Sequence, residues 1–462
     1  MISAAPSDVA PGGRRSTRHQ RSWYWYDWAN SAYVTTAATV LFSPYLTSVA
    51  TAAACPDLAD GAVCRTNLDV LGIPVSPGSL VPYTLTISTI VSALVLVFVG
   101  AIADRATRPT RLFAGFAWAG AAAASAMFLV TGTSWQLGVL LLILANLCLG
   151  GSLVIYDSLL CRIAGPDERD RVSSRGWALG YLGGGLLLAL NLALVTLHAR
   201  VGLSEGAAVR VSLLSAGLWW AGFTLIPVLG LRDLRGTTAT PAESRAGVVR
   251  GSLAQLARTF AELRRYPQTL LFLLAYLFYN DGIQTVITSS SLYGAEQLRL
   301  SQSQLITTVL LVQFVAFGGA LLFGRLARSL GAWRVVRDSL ALWLLVVVLA
   351  FFVPQGAFLV FLALAVLIGI VLGGSQALSR SLYSQLVPRG REAEFFSLYQ
   401  AMERGTSWLG TLVFGLVHQL TGSYRWAIIA LVVFFVVGGV LLSRVRMREG
   451  ILAAGNTLPA VV

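Results

Sequence analysis

The hexapeptide Tyr279-Asn280-Asp281-Gly282-Ile283-Gln284 lies inside an apolar run from Leu270 to Tyr293. Counted from Gln268 at the α-helical rise, Asp281 is about 20 Å along a helix. That is past the middle of a hydrocarbon slab roughly 30 Å thick. A carboxylate at such depth is costly unless it meets water, a partner or a substrate. Asp281 therefore reads as a proton carrier or as an anchor for a substrate amine. The competing reading is a buried ion pair with Arg404 that holds two apolar segments in register.

Other polar side chains share this depth. Asp27 and Asn30, with Ser31, fall at i, i+3 and i+4 on one helix face. Asn146 and Asp157 lie in a second run, Gln376 and Arg380 in a third, and Glu403 with Arg404 about 14 Å into a fourth. Each needs a partner in a dry environment, and one shared water-filled cavity would supply it. Alternatives stay open for most of them. Asp27 is near Arg18 and Arg21, so an interfacial salt bridge fits as well as ligand binding. Asn146 can bridge helices. Asp157 and Arg162 read as a gate or a structural pair. Arg175, Trp177 and Tyr181 open a helix, as interface anchors do, though Tyr181 can also face the cavity. Gln376 is expected toward the cavity and Arg380 toward an inner gate. Glu403 and Arg404 are either pathway charges or a neighbouring pair satisfied by other helices.

The elements that must position these residues are membrane helices. Of 462 residues, 56% are hydrophobic and only 12% charged, with a mean hydropathy of +0.72. Soluble chains carry about 25% charged residues. Twelve segments are long enough to span, near 23–50, 80–103, 112–131, 135–160, 176–197, 211–231, 268–293, 304–327, 333–353, 357–383, 394–418 and 424–443. The 45 glycines suit closely packed membrane helices. The formal charge of +13 is dispersed between apolar segments, so no nucleic-acid partner is expected. All 34 basic residues are arginine, which excludes a Schiff-base lysine and a phosphate-loop lysine. No catalytic constellation, metal spacing or cofactor motif stands out, and His19, His198 and His418 form no proton relay. The expectation is an all-α integral membrane protein that is not an enzyme.

Arginine placement sets the orientation. With the N-terminus inside, twenty-eight arginines fall on inner segments and five on outer ones, with Arg404 left in the membrane. Both termini are then cytoplasmic. The expected domains are a disordered tail (1–22), a six-helix bundle (23–231), a linker (232–267), a second six-helix bundle (268–445) and a tail (446–462). Within the linker, Leu253, Leu256, Phe260 and Leu263 share one face of an amphipathic helix over 251–266, lying on the membrane surface or packed on the bundle. Cys55 and Cys64 share an outer polar loop and are expected to form a disulfide. Cys148 and Cys161 belong to one helix and its end.

An internal repeat supports the division into halves. Gly100-Ala101-Ile102-Ala103-Asp104-Arg105 follows the second segment and Gly324-Arg325-Leu326-Ala327-Arg328 the eighth. Asp104, Arg105 and Arg108 can make charge-assisted bonds to a neighbouring helix end and so gate one face. The bland alternative is a charge cluster that only fixes topology. The second copy has Arg328 where the first has Asp104.

Twelve spans in two halves with a paired loop resemble the major facilitator superfamily. Five blocks point to one branch. They are Tyr26-Asp27-Trp28-Ala29-Asn30-Ser31-Ala32-Tyr33, Gly176 to Gly184, Tyr279-Asn280-Asp281-Gly282, Gly373 to Ser381, and Arg391 to Phe396. Together they resemble the vacuole effluxer family of autophagy-related amino-acid exporters and bacterial relatives. One departure is Glu403-Arg404, where relatives usually read glycine-lysine. The resemblance implies two pseudo-symmetric six-helix bundles around a central cavity lined by helices one, four, seven and ten. It also implies a secondary transporter for an amino acid or similar metabolite, working by alternating access. The expected pathway is Asp281, Asn280, Gln284, Tyr279, Asp27, Asn30, Tyr33, Asn146, Tyr181, Gln376, Glu403 and Arg404. The expected gate is Asp104, Arg105, Arg108, Asp157, Arg162, Arg175 and Arg380. A proton or cation would drive transport through a monomer in the lipid bilayer of the plasma membrane. The alternatives are a non-transporting receptor or scaffold, and a lipid or drug translocator.

Overall fold

The computed structural model describes residues 17–56, 64–234, 262–405 and 407–462. Among them, eleven helices are long and apolar enough to cross a membrane. In the first half these are α1 (Arg18–Ala54), α2 (Pro77–Arg105), α3 (Pro109–Leu129), α4 (Trp135–Ile163), α5 (Pro166–Thr196) and α6 (Glu205–Gly230). In the second half they are α7 (Pro267–Gln297), α8 (Gln302–Leu330), α9 (Ala332–Phe352), α10 (Phe358–Gln385) and, after the next crossing, α13 (Tyr424–Arg444). That crossing is described as α11 (Glu392–Gly405) and α12 (Ser407–Thr421), on either side of position 406. A short α14 (Met447–Ala453) follows. The architecture is all-α, with twelve crossings in two six-helix bundles.

Several helices begin earlier than hydropathy suggests, because their polar ends are capped and packed. α1 starts at Arg18 rather than after residue 22. Thr17 and Gln20 form a capping box, each side chain accepting from the other's backbone N–H at 3.2 Å. The Gln20 amide then donates to the Ile163 carbonyl at 3.0 Å. The last residues of the expected tail are thus helix. α5 likewise extends back to Pro166 through Arg169, Asp170 and Arg171. Residues 33–41 of α1 and 293–297 of α7 are π-helical, a geometry often found at functional sites.

The segment after α1 carries the Cys55–Cys64 disulfide, with Cα atoms 6.0 Å apart. An antiparallel hairpin follows, pairing β1 (Leu68–Val70) with β2 (Ile73–Val75). We call this the disulfide end, and the opposite face the arginine end. Most of the linker expected to hold the amphipathic helix, residues 235–261, lies outside the described residues. Beyond it, Leu263 is buried and Glu262 pairs with Arg391.

Each half has its own apolar core. One runs from Trp23 to Leu231 and borrows Ala393, and the other runs from Leu263 to Ile451 and borrows Val97. The halves meet where α2 packs on α11 and α5 on α8 and α10. The two repeat glycines sit at these crossings. A Cβ at Gly100 would lie 2.5 Å from the Ala393 carbonyl oxygen, and one at Gly324 would lie 2.6 Å from Ser174 Cβ. The segment after α13 is docked across the arginine end. Met447 and Ile451 are buried. The Asn456 amide donates to the carbonyls of Gln385 at 2.9 Å and Val387 at 2.8 Å. Across the divide, the Ala460 N–H donates to Asp167 at 2.6 Å.

Candidate functional site

A cavity of about 300 Å³ separates the halves. Its floor, toward the arginine end, is made by Asp27, Asp157 and Arg380, and its upper wall reaches Ser290, Leu305 and Phe361. Arg380 is the keystone of the floor. From α10 it crosses to the first half, where Nη2 lies 2.9 Å from Asp27 Oδ2 and Nη1 lies 3.2 Å from Asp157 Oδ1. Its Nε donates to Ser173 Oγ at 3.0 Å. The guanidinium also stands over the rings of Trp23, Trp177 and Tyr156, at 4.8, 5.4 and 5.6 Å. A planar fork that can bond several acceptors while stacking on rings is what arginine offers and lysine does not. All three charged residues are almost fully buried.

The network continues upward along α11. Gln400 Nε2 donates to Asp157 Oδ2 at 2.9 Å and to Glu403 Oε2 at 3.1 Å, and Gln400 Oε1 accepts from Arg404 Nε at 3.2 Å. Glu403 and Arg404 both line the cavity. Three carboxylates and two guanidiniums thus share one chamber, with Asn30, Tyr181, Gln284 and Gln376 on its walls. The remainder of the wall is largely apolar, including Ile287, Val309 and Ile368.

Below the floor the halves are tied together. The Asp104 carboxylate accepts the backbone N–H groups of Ala393 at 2.9 Å and Glu394 at 2.8 Å, capping α11. Arg169 donates to the Ser384 carbonyl at 2.7 Å, and Ser381 to Asp170 at 2.6 Å. Near the disulfide end, one hydrogen bond joins the halves among the described residues, from Gln313 to Thr35 at 2.8 Å. The chain is shut at the arginine end.

Several expected residues are placed elsewhere. Asp281 is fully buried but faces away from the cavity, where its Oδ2 accepts the Gly410 N–H at 2.8 Å. Its other oxygen has no hydrogen-bond partner among the described residues. The reason is helical geometry: Asn280 and Gln284 share one face, and Asp281 is turned about 100° from it, onto α12. Nor does Asp281 pair with Arg404, which is engaged by Gln400. Asn280 stands one layer behind the wall and accepts from Gln376 at 2.8 Å. Tyr279 bonds Ser379 at 2.7 Å. Tyr33 donates to Asn146 at 3.0 Å, a bridge between helices outside the cavity lining. Asp27 meets Arg380 instead of Arg18 or Arg21. Asp157 does not pair with Arg162, which lies 3.8 Å from Glu392. Of the Asp104 group, Arg105 and Arg108 are exposed and make no ion pair among the described residues. Arg175 lies within α5 rather than at its start, off the cavity.

Gln400, Ser173, Arg169 and Asp170 were missed. Gln400 could have been found, since it falls one turn before Glu403 and Arg404 on the same face. The other three belong to a stretch that reads as a charged loop.

Two bundles closed at one end around a buried, charged cavity define a transporter of the major facilitator fold. Among solved structures, a bacterial homologue of the iron transporter ferroportin in its outward-facing state superposes with a TM-score of 0.64 at 14% identity, over 92% of this chain and 98% of that one. A double-tryptophan mutant of XylE gives 0.67 at 12% identity, over 94% and 97%. These likenesses concern the fold alone. Residues 15–455 match the family described as vacuole effluxer Atg22 like, and the chain belongs to that family. It is 30% identical over 432 residues to an uncharacterized MFS-type transporter, YxiO, of Bacillus subtilis, spanning 93% of this chain and 95% of the relative. It is 31% identical over 297 residues to autophagy-related protein 22 of Cryptococcus neoformans, covering 61% of this chain and 53% of that one.

Proposed function

We propose that this transporter exports a small zwitterionic solute, an amino acid or a similar metabolite, coupled to a proton or cation at the cavity floor. The observation that carries this reading is Arg380 of one half held by Asp27 and Asp157 of the other. Opening the arginine end must withdraw Arg380 from both carboxylates. Separating a buried ion pair costs about 3–5 kcal/mol, because it strands uncompensated charge. A proton delivered to Asp157 or Asp27 removes that charge and lowers the cost. Protonation and opening of the arginine end are then linked, which is the requirement for coupling.

Charges of both signs in a cavity with polar and apolar walls suit a solute that carries an amine and a carboxylate. The effluxer description of the family supports export. Arginine placement supports an orientation with the arginine end cytoplasmic and both termini inside; a monomer in the lipid of the plasma membrane is part of the same proposal. In this reading Asp281, on the face of α7 turned from the cavity, takes no direct part in binding.

The test uses purified protein in proteoliposomes with an imposed pH gradient and radiolabelled amino acids. Asp157→Asn should insert and fold, lose gradient-driven accumulation, and keep solute exchange. Full accumulation by Asp157→Asn and by Asp27→Asn would remove the floor from the coupling mechanism. A thermal-shift screen identifies the solute class, since a ligand raises the melting temperature with its concentration.

A further inference from the structure

Two guanidiniums line the cavity, and only one of them is fully occupied. Arg380 matches its five N–H donors with five bonds: Nε to Ser173 Oγ, Nη1 to Asp27 Oδ1 and Asp157 Oδ1, and Nη2 to Asp27 Oδ2 and the Ser173 carbonyl. No donor of Arg380 is left for a solute. Arg404 is half-buried and lines the same chamber. Its Nε donates to Gln400 Oε1 at 3.2 Å, and its two terminal nitrogens make no hydrogen bond and no ion pair among the described residues.

Gln400 fixes this arrangement. Its amide fits one way round, with the oxygen toward the donor-only guanidinium and the nitrogen toward Asp157 Oδ2 at 2.9 Å and Glu403 Oε2 at 3.1 Å. Arg404 is thus held at Nε, which leaves the edge formed by Nη1 and Nη2 for a planar anion. The amides of Asn30 and Gln376, on the same walls, donate to the Tyr26 carbonyl and to Asn280. Asn280 in turn donates to the Glu403 carbonyl at 3.4 Å, so one asparagine joins Gln376 to the turn that carries Arg404. Gln376 Oε1 is left buried with no hydrogen-bond partner among the described residues, a costly state that a bound ammonium would relieve. The chamber holds three carboxylates and two guanidiniums. A bare anion adds to that excess of negative charge, whereas a carboxylate that arrives with its own ammonium does not.

We propose, resting on the reading that the solute is a zwitterion, that Arg404 receives its carboxylate through Nη1 and Nη2, while Gln376 Oε1 accepts from its ammonium. The two arginines then divide the work. Arg380 closes the floor, and Arg404 selects for a carboxylate. Through Gln400 the selecting residue is one side chain away from Asp157, so the solute's carboxylate binds next to the floor that has to open.

The experiment measures affinity from the rise in melting temperature of the purified full chain in neutral micelles, as a function of ligand concentration. The probes are the common L-amino acids, their primary amides and their 2-oxo acids. The amino acid that stabilises most should bind the parent at least about tenfold more tightly than its amide, and more tightly than its 2-oxo acid. Arg404→Gln should bring amino acid and amide to within about twofold of each other. It should bind the amide as the parent does, which shows that the variant is folded. Arg404→Lys keeps a charge but loses the fork, so its affinity for the amino acid should fall between those of the parent and Arg404→Gln. No preference for the amino acid in the parent, or a preference that survives in Arg404→Gln, overturns the proposal and leaves the zwitterionic solute standing. A 2-oxo acid bound as tightly as the amino acid, and lost in Arg404→Gln, keeps Arg404 as the carboxylate site and overturns the zwitterion reading instead. A melting temperature that no amino acid and no 2-oxo acid raises overturns both.

Discussion

Arg380 and Asp27 stand 353 positions apart in the chain, on opposite halves of the molecule, and their side chains meet at 2.9 Å at the bottom of the cavity. Asp157 shares the same guanidinium, so one residue of α10 closes a contact with both α1 and α4. The arrangement is self-limiting. It is stable only while the halves are together, and its separation leaves charge behind in a low-dielectric setting. A solute or proton that alters the balance of charge here acts on the closure itself.

Arg380→Gln should therefore open the arginine end. Ser384, which is buried there and accepts from Arg169, gives a site to watch. In a background with Cys148 and Cys161 replaced by serine, Ser384→Cys should react slowly with a small polar maleimide in the parent. It should react at least tenfold faster when Arg380→Gln is added, which corresponds to roughly 1.4 kcal/mol of shifted equilibrium. An unchanged labelling rate would show that the Arg380 contacts do not hold this end shut.

Asp104 caps α11 through two charge-assisted bonds, at the point where Gly100 brings the helices together. Loss of a helix cap costs about 0.5–2 kcal/mol. Asp104→Ala should lower the melting temperature by a few degrees, and Asp104→Asn by less, since an asparagine oxygen still accepts. A melting temperature unmoved by Asp104→Ala would mean that the cap adds nothing to closure.

Asp281→Asn tests the opposite expectation. The carboxylate is buried without a charged partner among the described residues and lies off the cavity, so neutralising it should leave transport within about twofold of the parent. The melting temperature should hold or rise, because an uncompensated buried charge is removed. Loss of gradient-driven transport with normal folding would return Asp281 to the mechanism and displace the floor network as its centre.

The fold was legible because membrane helices announce themselves by length and hydropathy, and because arginines punctuate the ends of the segments. Positions of individual side chains were harder to read. Asp281 drew notice by its depth, yet depth along a helix says nothing about the face presented, and about 60° of rotation separates Gln284 in the cavity from Asp281 outside it. Asp27 and Asp157 were recognised as polar residues in apolar runs, but their partner lies hundreds of positions away, so the nearer Arg18, Arg21 and Arg162 drew the pairing. The start of α5 was hidden by composition, since Arg169-Asp170-Arg171 reads as a loop until a second bundle is present to receive it. Asn456 lies beyond the last span and carries no signal of its docking.

Asn456 leads to the last expectation. Its side chain satisfies two backbone carbonyls, one at the last residue of α10 and one just beyond it, and four residues later the Ala460 N–H reaches Asp167 in the first half. Asn456→Ala strips both carbonyls of their donor, and an unsatisfied buried polar group costs about 1–3 kcal/mol. The segment from α14 onward should then detach more often. Arg446 and Arg448 provide cleavage points for trypsin that are protected while α14 is helical and docked. A loss of 1–2 kcal/mol multiplies the detached population by roughly 5–30. Where reclosing outpaces cutting, cleavage after Arg448 should accelerate by that factor. Asp167→Ala should give a smaller increase, because it releases only the distal contact. Equal cleavage rates in the parent and Asn456→Ala would mean that Met447 and Ile451 alone hold the segment, and that its crossing to the first half is incidental.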